Sequence, residues 1–103
     1  MGYEIIVFGK NGETVATLES HGDDYRAAQA VMSALDLYVD PDQESGPGDT
    51  IEYTAKELHA AEAALTVIPF RQDYVAHAAV LIRSAINYIE TQDDIDSVEI
   101  GFF

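Results

Sequence analysis

Cysteine is absent from the 103 residues, which excludes a disulfide framework, a thiolate metal site and a cysteine nucleophile, and removes any pointer to an oxidising compartment. Basic residues are scarce. Two Lys and three Arg stand against nineteen Asp and Glu, for a net charge of −14. Even if every base paired with an acid, fourteen carboxylates would remain, so surface salt bridges do not account for the excess. Long apolar runs are missing too: the longest uncharged apolar stretch, Tyr74 to Ile82, contains His77 and is less than half of a membrane span. The start, Met1-Gly2-Tyr3-Glu4, has neither the basic nor the apolar region of a secretory leader. Ile6 stands where a myristoylation signal needs Ser or Thr. These absences set the expectation of a cytoplasmic, non-membrane protein.

What is present argues for a folded chain. Hydrophobic residues make up 48% of the sequence, with nine Ile and ten aromatics, too rich a content for an acidic disordered tail. A chain of this length is expected to form one domain over residues 1–103, burying roughly 60 to 70% of the surface it exposes when unfolded. Repulsion among the acids opposes compaction. With domain stabilities of about 5 to 15 kcal/mol, retaining that repulsion implies a compensating benefit.

Tyr3 to Lys10 and Glu13 to Ser20 read as two strands joined by Asn11-Gly12, the dipeptide best suited to the positive φ angles of a two-residue type I′ turn. That turn opposes Lys10 with Glu13, Phe8 with Val15, Ile6 with Thr17 and Glu4 with Glu19. One face of the hairpin then carries Ile5, Val7, Ala16 and Leu18. Asp23 or Asp24 caps a helix running to about Val39, and Asp40-Pro41 ends it. Residues 40 to 50 hold two Pro, two Gly and four acids and read as a loop, with a short extended piece at Ile51 to Tyr53. Thr54-Ala55-Lys56-Glu57 fits a capping box opening a second helix, whose stripe is Leu58, Ala61, Leu65 and Ile68 before Pro69. A third helix, from Asp73 to about Thr91, turns Val75, Ala78, Ala79, Ile82, Ile86 and Ile89 inward. Leu81, Ala85 and Tyr88 widen that stripe, as expected of a central helix. Ser97 to Phe103 alternates Val98, Ile100 and Phe102 against Glu99, Gly101 and Phe103, a strand pattern. The expected fold is α+β: a three-stranded antiparallel sheet of order 2-1-3, connected ββαααβ, with three helices packed on one face.

The other sheet face carries Ile6, Phe8, Val15 and Phe103 among Glu4, Glu19 and Glu99, an apolar patch ringed by carboxylates and a candidate contact surface. Two acidic groups accompany it. Asp40, Asp42, Glu44, Asp49 and Glu52 form one, with Tyr53 beside it as a candidate anchor; Glu90, Asp93, Asp94, Asp96 and Glu99 form the other. Carboxylates on a rigid surface can imitate a phosphate row. Against this stands the plain alternative of a solvated acidic surface.

Chemistry of other kinds finds little footing. A calcium loop starting at Asp40 places Gly46 one position late and Ile51 where a bidentate Glu is needed. His59, Glu62, Asp73 and His77 have helical spacing for a metal site but no HExxH or ExxH pattern. Ser20-His21 lacks a nucleophile elbow, and Gly46-Pro47-Gly48 lacks the context of a phosphate loop. The expectation is a non-enzymatic protein without a cofactor. It would bind and block the basic nucleic-acid-binding surface of a nuclease or CRISPR effector, as small acidic phage-borne inhibitors do; the likeness is one of size and charge. Direct nucleic-acid binding is disfavoured by the charge. If the chain is phage-encoded, its place is the host cytoplasm. The alternative is a halophilic cytosolic domain of regulatory or structural role, acting as a homodimer, whose acids serve hydration.

Overall fold

A computed structural model describes residues 2–21, 25–36, 49–67 and 72–103. The elements are β1 (Gly2–Phe8), β2 (Thr14–His21), α1 (Tyr25–Ala34), β3 (Asp49–Thr54), α2 (Ala55–Ala64), α3 (Gln72–Thr91) and β4 (Ser97–Phe102). The sheet is antiparallel and four-stranded, with order β2-β1-β4-β3.

The expected three-stranded order is therefore corrected. The last strand does lie beside the first, but β3 adds a fourth strand on the far side of β4. The short extended piece is that strand. Its six residues cannot bury a face alone; pairing with β4 satisfies the backbone groups on that side and places Ile51 opposite Ile100 and Tyr53 opposite Val98.

The hairpin is also built differently from its Asn-Gly signal. The Gly12 amide donates to the Gly9 carbonyl at 3.1 Å and the Gly9 amide to the Glu13 carbonyl at 2.7 Å, so the loop has three residues, Lys10 to Gly12. Gly12 alone of these takes a positive φ, 79°, the left-handed closing position of such loops. The extra loop residue shifts the pairing, and Phe8 meets Thr14 rather than Val15. Val15 is then the additional residue of a β-bulge, beyond which Val7 pairs with Ala16 and Ile6 with Thr17. Loop and bulge offset each other, and the inner and outer faces of the rest of the hairpin come out as the two-residue turn would have set them.

The inner face packs against all three helices. Ile5, Val7, Ile100 and Phe102 have no solvent exposure, and Val98 is nearly as buried. Above them lie Ala28 and Val31 of α1, Leu58 of α2, and Ala78, Ile82, Ala85 and Ile86 of α3. Each large side chain buried there stabilises the fold by roughly 1.5 to 3 kcal/mol. Alanines at 27, 28, 30 and 34 of α1 are all buried; small side chains let that helix approach the sheet and α3 closely. α3 touches α1, α2, β2 and β4, the central position its wide apolar stripe implies.

Helix ends follow local chemistry. Thr54 Oγ1 accepts the Glu57 amide at 3.3 Å while Glu57 Oε1 accepts the Thr54 amide at 3.0 Å, completing the capping box. α1 stops at Ala34, short of the expected Val39, because Asp36 takes a left-handed φ of 61°, a terminating conformation that Asp tolerates better than most residues. The expected caps Asp23 and Asp24, the helix residues Tyr38 and Val39, and Ile68 and Pro69 lie outside the described residues.

The positive φ at Gly12 yields a direct test. Gly12→Ala should destabilise the protein by about 1 to 2 kcal/mol, read as a lower midpoint in urea unfolding with unchanged slope.

Candidate interaction surface

Strand alternation decides which residues the sheet displays. Since Ile5, Val7, Val98, Ile100 and Phe102 are buried under the helices, the outward positions of β1 and β4 are Glu4, Ile6, Phe8, Ser97, Glu99 and Gly101. β2 adds Thr17 and Glu19, and β3 adds Thr50, Glu52 and Thr54. Phe103, just past β4, exchanges both backbone hydrogen bonds with Glu4 at 2.9 Å and so shares the outward side. No Lys or Arg occupies any of these positions.

Gly101 organises the apolar centre. A Cβ at this position would lie 2.5 Å from Phe103 Cε2 and 3.1 Å from Phe8 Cε2, so the two rings converge over space that only glycine leaves open. They cover it well enough that Gly101 is buried on a face that none of the described helices covers. Ile6 and Phe8 are half-buried, and Phe103 is 39% exposed.

Carboxylates surround this strip. Glu52 stands directly opposite Glu99, and Glu4 opposite Glu19. Like charges across a strand pair are destabilising, a cost that falls on Glu52 and Glu99. Glu52 also accepts the Ser97 hydroxyl at 3.0 Å. Glu52, Glu99, Asp94 and Asp96 line one shallow groove of about 300 Å³ that opens between the hairpin tip and the start of β4. Glu52 of the first acidic group thus joins Glu99, Asp94 and Asp96 of the second at the β3–β4 ladder.

The remaining expected site residues scatter. Asp40, Asp42 and Glu44 lie outside the described residues, as does most of the calcium-loop candidate. The Asp49 backbone pairs with Phe102 at the end of β3. Asp93 is exposed in the turn after α3. Glu90 is exposed and lies 3.1 Å from His59 Nε2. Val15 packs toward the core from its bulge, away from the patch with which its sequence position groups it. Tyr53 is 5% exposed, a core residue rather than a surface anchor, because β3 turns Ile51 and Tyr53 inward. The metal candidate disperses as well, with Glu62 held by Arg83 and His59 beside Glu90; among the described residues no His, Asp and Glu cluster could hold a metal ion.

A contact not foreseen from the sequence fixes the hairpin tip. The Tyr88 hydroxyl on α3 donates to Glu13 Oε1 at 2.6 Å and accepts the Lys10 amide at 3.1 Å, while Lys10 Nζ reaches Asp94. No local pattern signals this, since the partners are 75 to 84 residues apart. The Tyr88 hydrogen bond holds the Glu13 carboxyl below the usual carboxylate range, and Lys10 does the same for Asp94. Burial, followed by the nearby Glu57 charge, pushes the Tyr53 phenol up to about 12.

Among the described residues no helix is long and apolar enough to cross a membrane. The chain matches no protein-family model, no curated protein and no solved structure.

Two outcomes are expected from these contacts. The folded pKa values of Glu13 and Asp94 are depressed, so the tip contacts are complete above the unfolded carboxylate values and are lost as pH falls through the folded ones. In an NMR titration, Tyr88→Phe should move the Glu13 transition up toward the ordinary range while leaving Asp94 in place. Separately, the Tyr53 hydroxyl is buried without a hydrogen-bond partner among the described residues, a cost that Tyr53→Phe removes. Urea unfolding should find that variant more stable by about 1 kcal/mol.

Proposed function

We propose that this chain is a non-enzymatic interaction protein that docks its uncovered sheet face onto a basic, nucleic-acid-handling surface and blocks it. The observation that carries this reading is the composition of that face: Ile6, Phe8 and Phe103 at the centre, Glu4, Glu52 and Glu99 around them, and no base among its outward positions. An apolar centre within a polar rim is the ordinary anatomy of a protein interface. A rim of one sign selects a partner of the other and speeds their encounter. Glu52 and Glu99, like charges facing each other across strands, oppose folding, and a cationic partner relieves that repulsion on binding.

Two of the five bases are already engaged by acids, and one of them, Lys10, lines the same groove as Glu52 and Glu99. Lys10 is committed to Asp94 and Arg83 to Glu62. A second copy of the chain would bring a further net charge of −14 against the same rim, so a foreign basic surface fits better than self-association. Nucleases and CRISPR effectors offer such surfaces, built to hold phosphate rows.

The test is binding to a panel of purified nucleases and CRISPR effectors, with duplex DNA as competitor. Glu52→Lys combined with Glu99→Lys should weaken capture at least about tenfold, and DNA should displace the native chain. Capture indifferent to both would remove the proposal. Thermal melts across salt concentration supply the control: a chain folded only in molar salt would assign the acids to halophilic hydration instead.

A further inference from the structure

The aromatic and acidic side chains of the open face are paired with each other, beyond merely sharing a surface. Phe8 on β1 lies directly opposite Glu99 on β4. Phe103 lies directly opposite Glu4, with both backbone hydrogen bonds at 2.9 Å. Such hydrogen-bonded neighbours sit roughly 5.5 Å apart at Cα, so each aromatic residue has an acidic residue as its cross-strand neighbour on the same face. The motif occurs twice in opposite orientation, with the acid on β4 in one pair and on β1 in the other. Gly101 lies between them with both rings against it.

We infer that the face is selective for arginine, each aromatic–carboxylate pair receiving one guanidinium group of the basic partner. This rests on the proposed function and names the chemistry of its docking surface. A guanidinium is flat and weakly hydrated; it stacks on an aromatic face while its N–H fork bonds a carboxylate edge-on. A ring and an acid on adjacent strands supply both surfaces at once. The lysine ammonium is compact and strongly hydrated, so it gains the charge attraction but little from the ring. Arrangement, not net charge, then sets the preference: the groove lined by Asp94, Asp96, Glu52 and Glu99 has no aromatic residue and treats the two cations alike.

Titration of the full chain with octaarginine and with octalysine, followed by amide chemical shifts at about 0.15 M salt, tests the inference. Octaarginine should bind about tenfold more tightly than octalysine, with the largest shifts on Glu4 to Phe8 and Glu99 to Phe103. Phe8→Leu combined with Phe103→Leu should erase the preference while octalysine affinity stays the same. Equal affinities on the native chain, or shifts centred on α2 or α3, would overturn arginine selectivity and leave the broader proposal standing. Binding of neither peptide would overturn both. The comparison on the native chain decides the matter even where the double variant does not fold.

Discussion

Everything displayed by this protein follows from the alternation of β4. The strand is hydrogen-bonded on both sides, to β1 and to β3, and it sends Val98, Ile100 and Phe102 into the helical layer with almost no exposure. A pleated strand has no freedom to bury one set of side chains without presenting the other. Glu99, Gly101 and Phe103 therefore face outward, and the neighbouring strands extend the same division to Ile6, Phe8, Glu4 and Glu52. The core fixes the surface, and a slip of one residue would exchange them.

Such a surface is energetically unfavourable in isolation, and the fold tolerates it through separation of roles. Stabilisation comes from the inner face, where large aliphatic residues of α2, α3, β1 and β4 interlock with the small residues of α1. The open face gives little back. Glu52 and Glu99 repel across it, and its aromatic strip is only partly covered. Tyr88, Lys10 and Asp94 hold the hairpin tip against α3, so the display sits on a braced sheet rather than on a pliable ribbon. A rigid array of charge loses less entropy on association than a flexible one.

Much of this was legible in the sequence where a pattern was local and complete. Alternation in residues 97–103, the capping box at Thr54 and the wide stripe of α3 each follow from residues a few positions apart, and the face carrying Ile6, Phe8 and Phe103 follows from the same alternation. What escaped depended on partners distant in the chain. The strand at Asp49–Thr54 is too short and too polar to declare itself; only the unpaired edge of β4 makes it a strand, and that pairing turns Tyr53 inward. The turn carries an Asn-Gly signal, yet one more residue enters the loop and the Val15 bulge absorbs the difference. The juxtaposition of Glu52 with Glu99 depends on the same unforeseen pairing.

The bulge at Val15 has a bearing on the margins of the sheet. β2 and β3 are the outermost strands, and each offers a row of backbone groups to any passing extended segment. On β2 the bulge breaks the regular spacing of those groups near the hairpin; on β3 the strand is six residues long and carries Glu52. Neither margin is a good template for continued ladder growth. Both rims thereby resist the strand-by-strand addition through which copies accumulate into fibres.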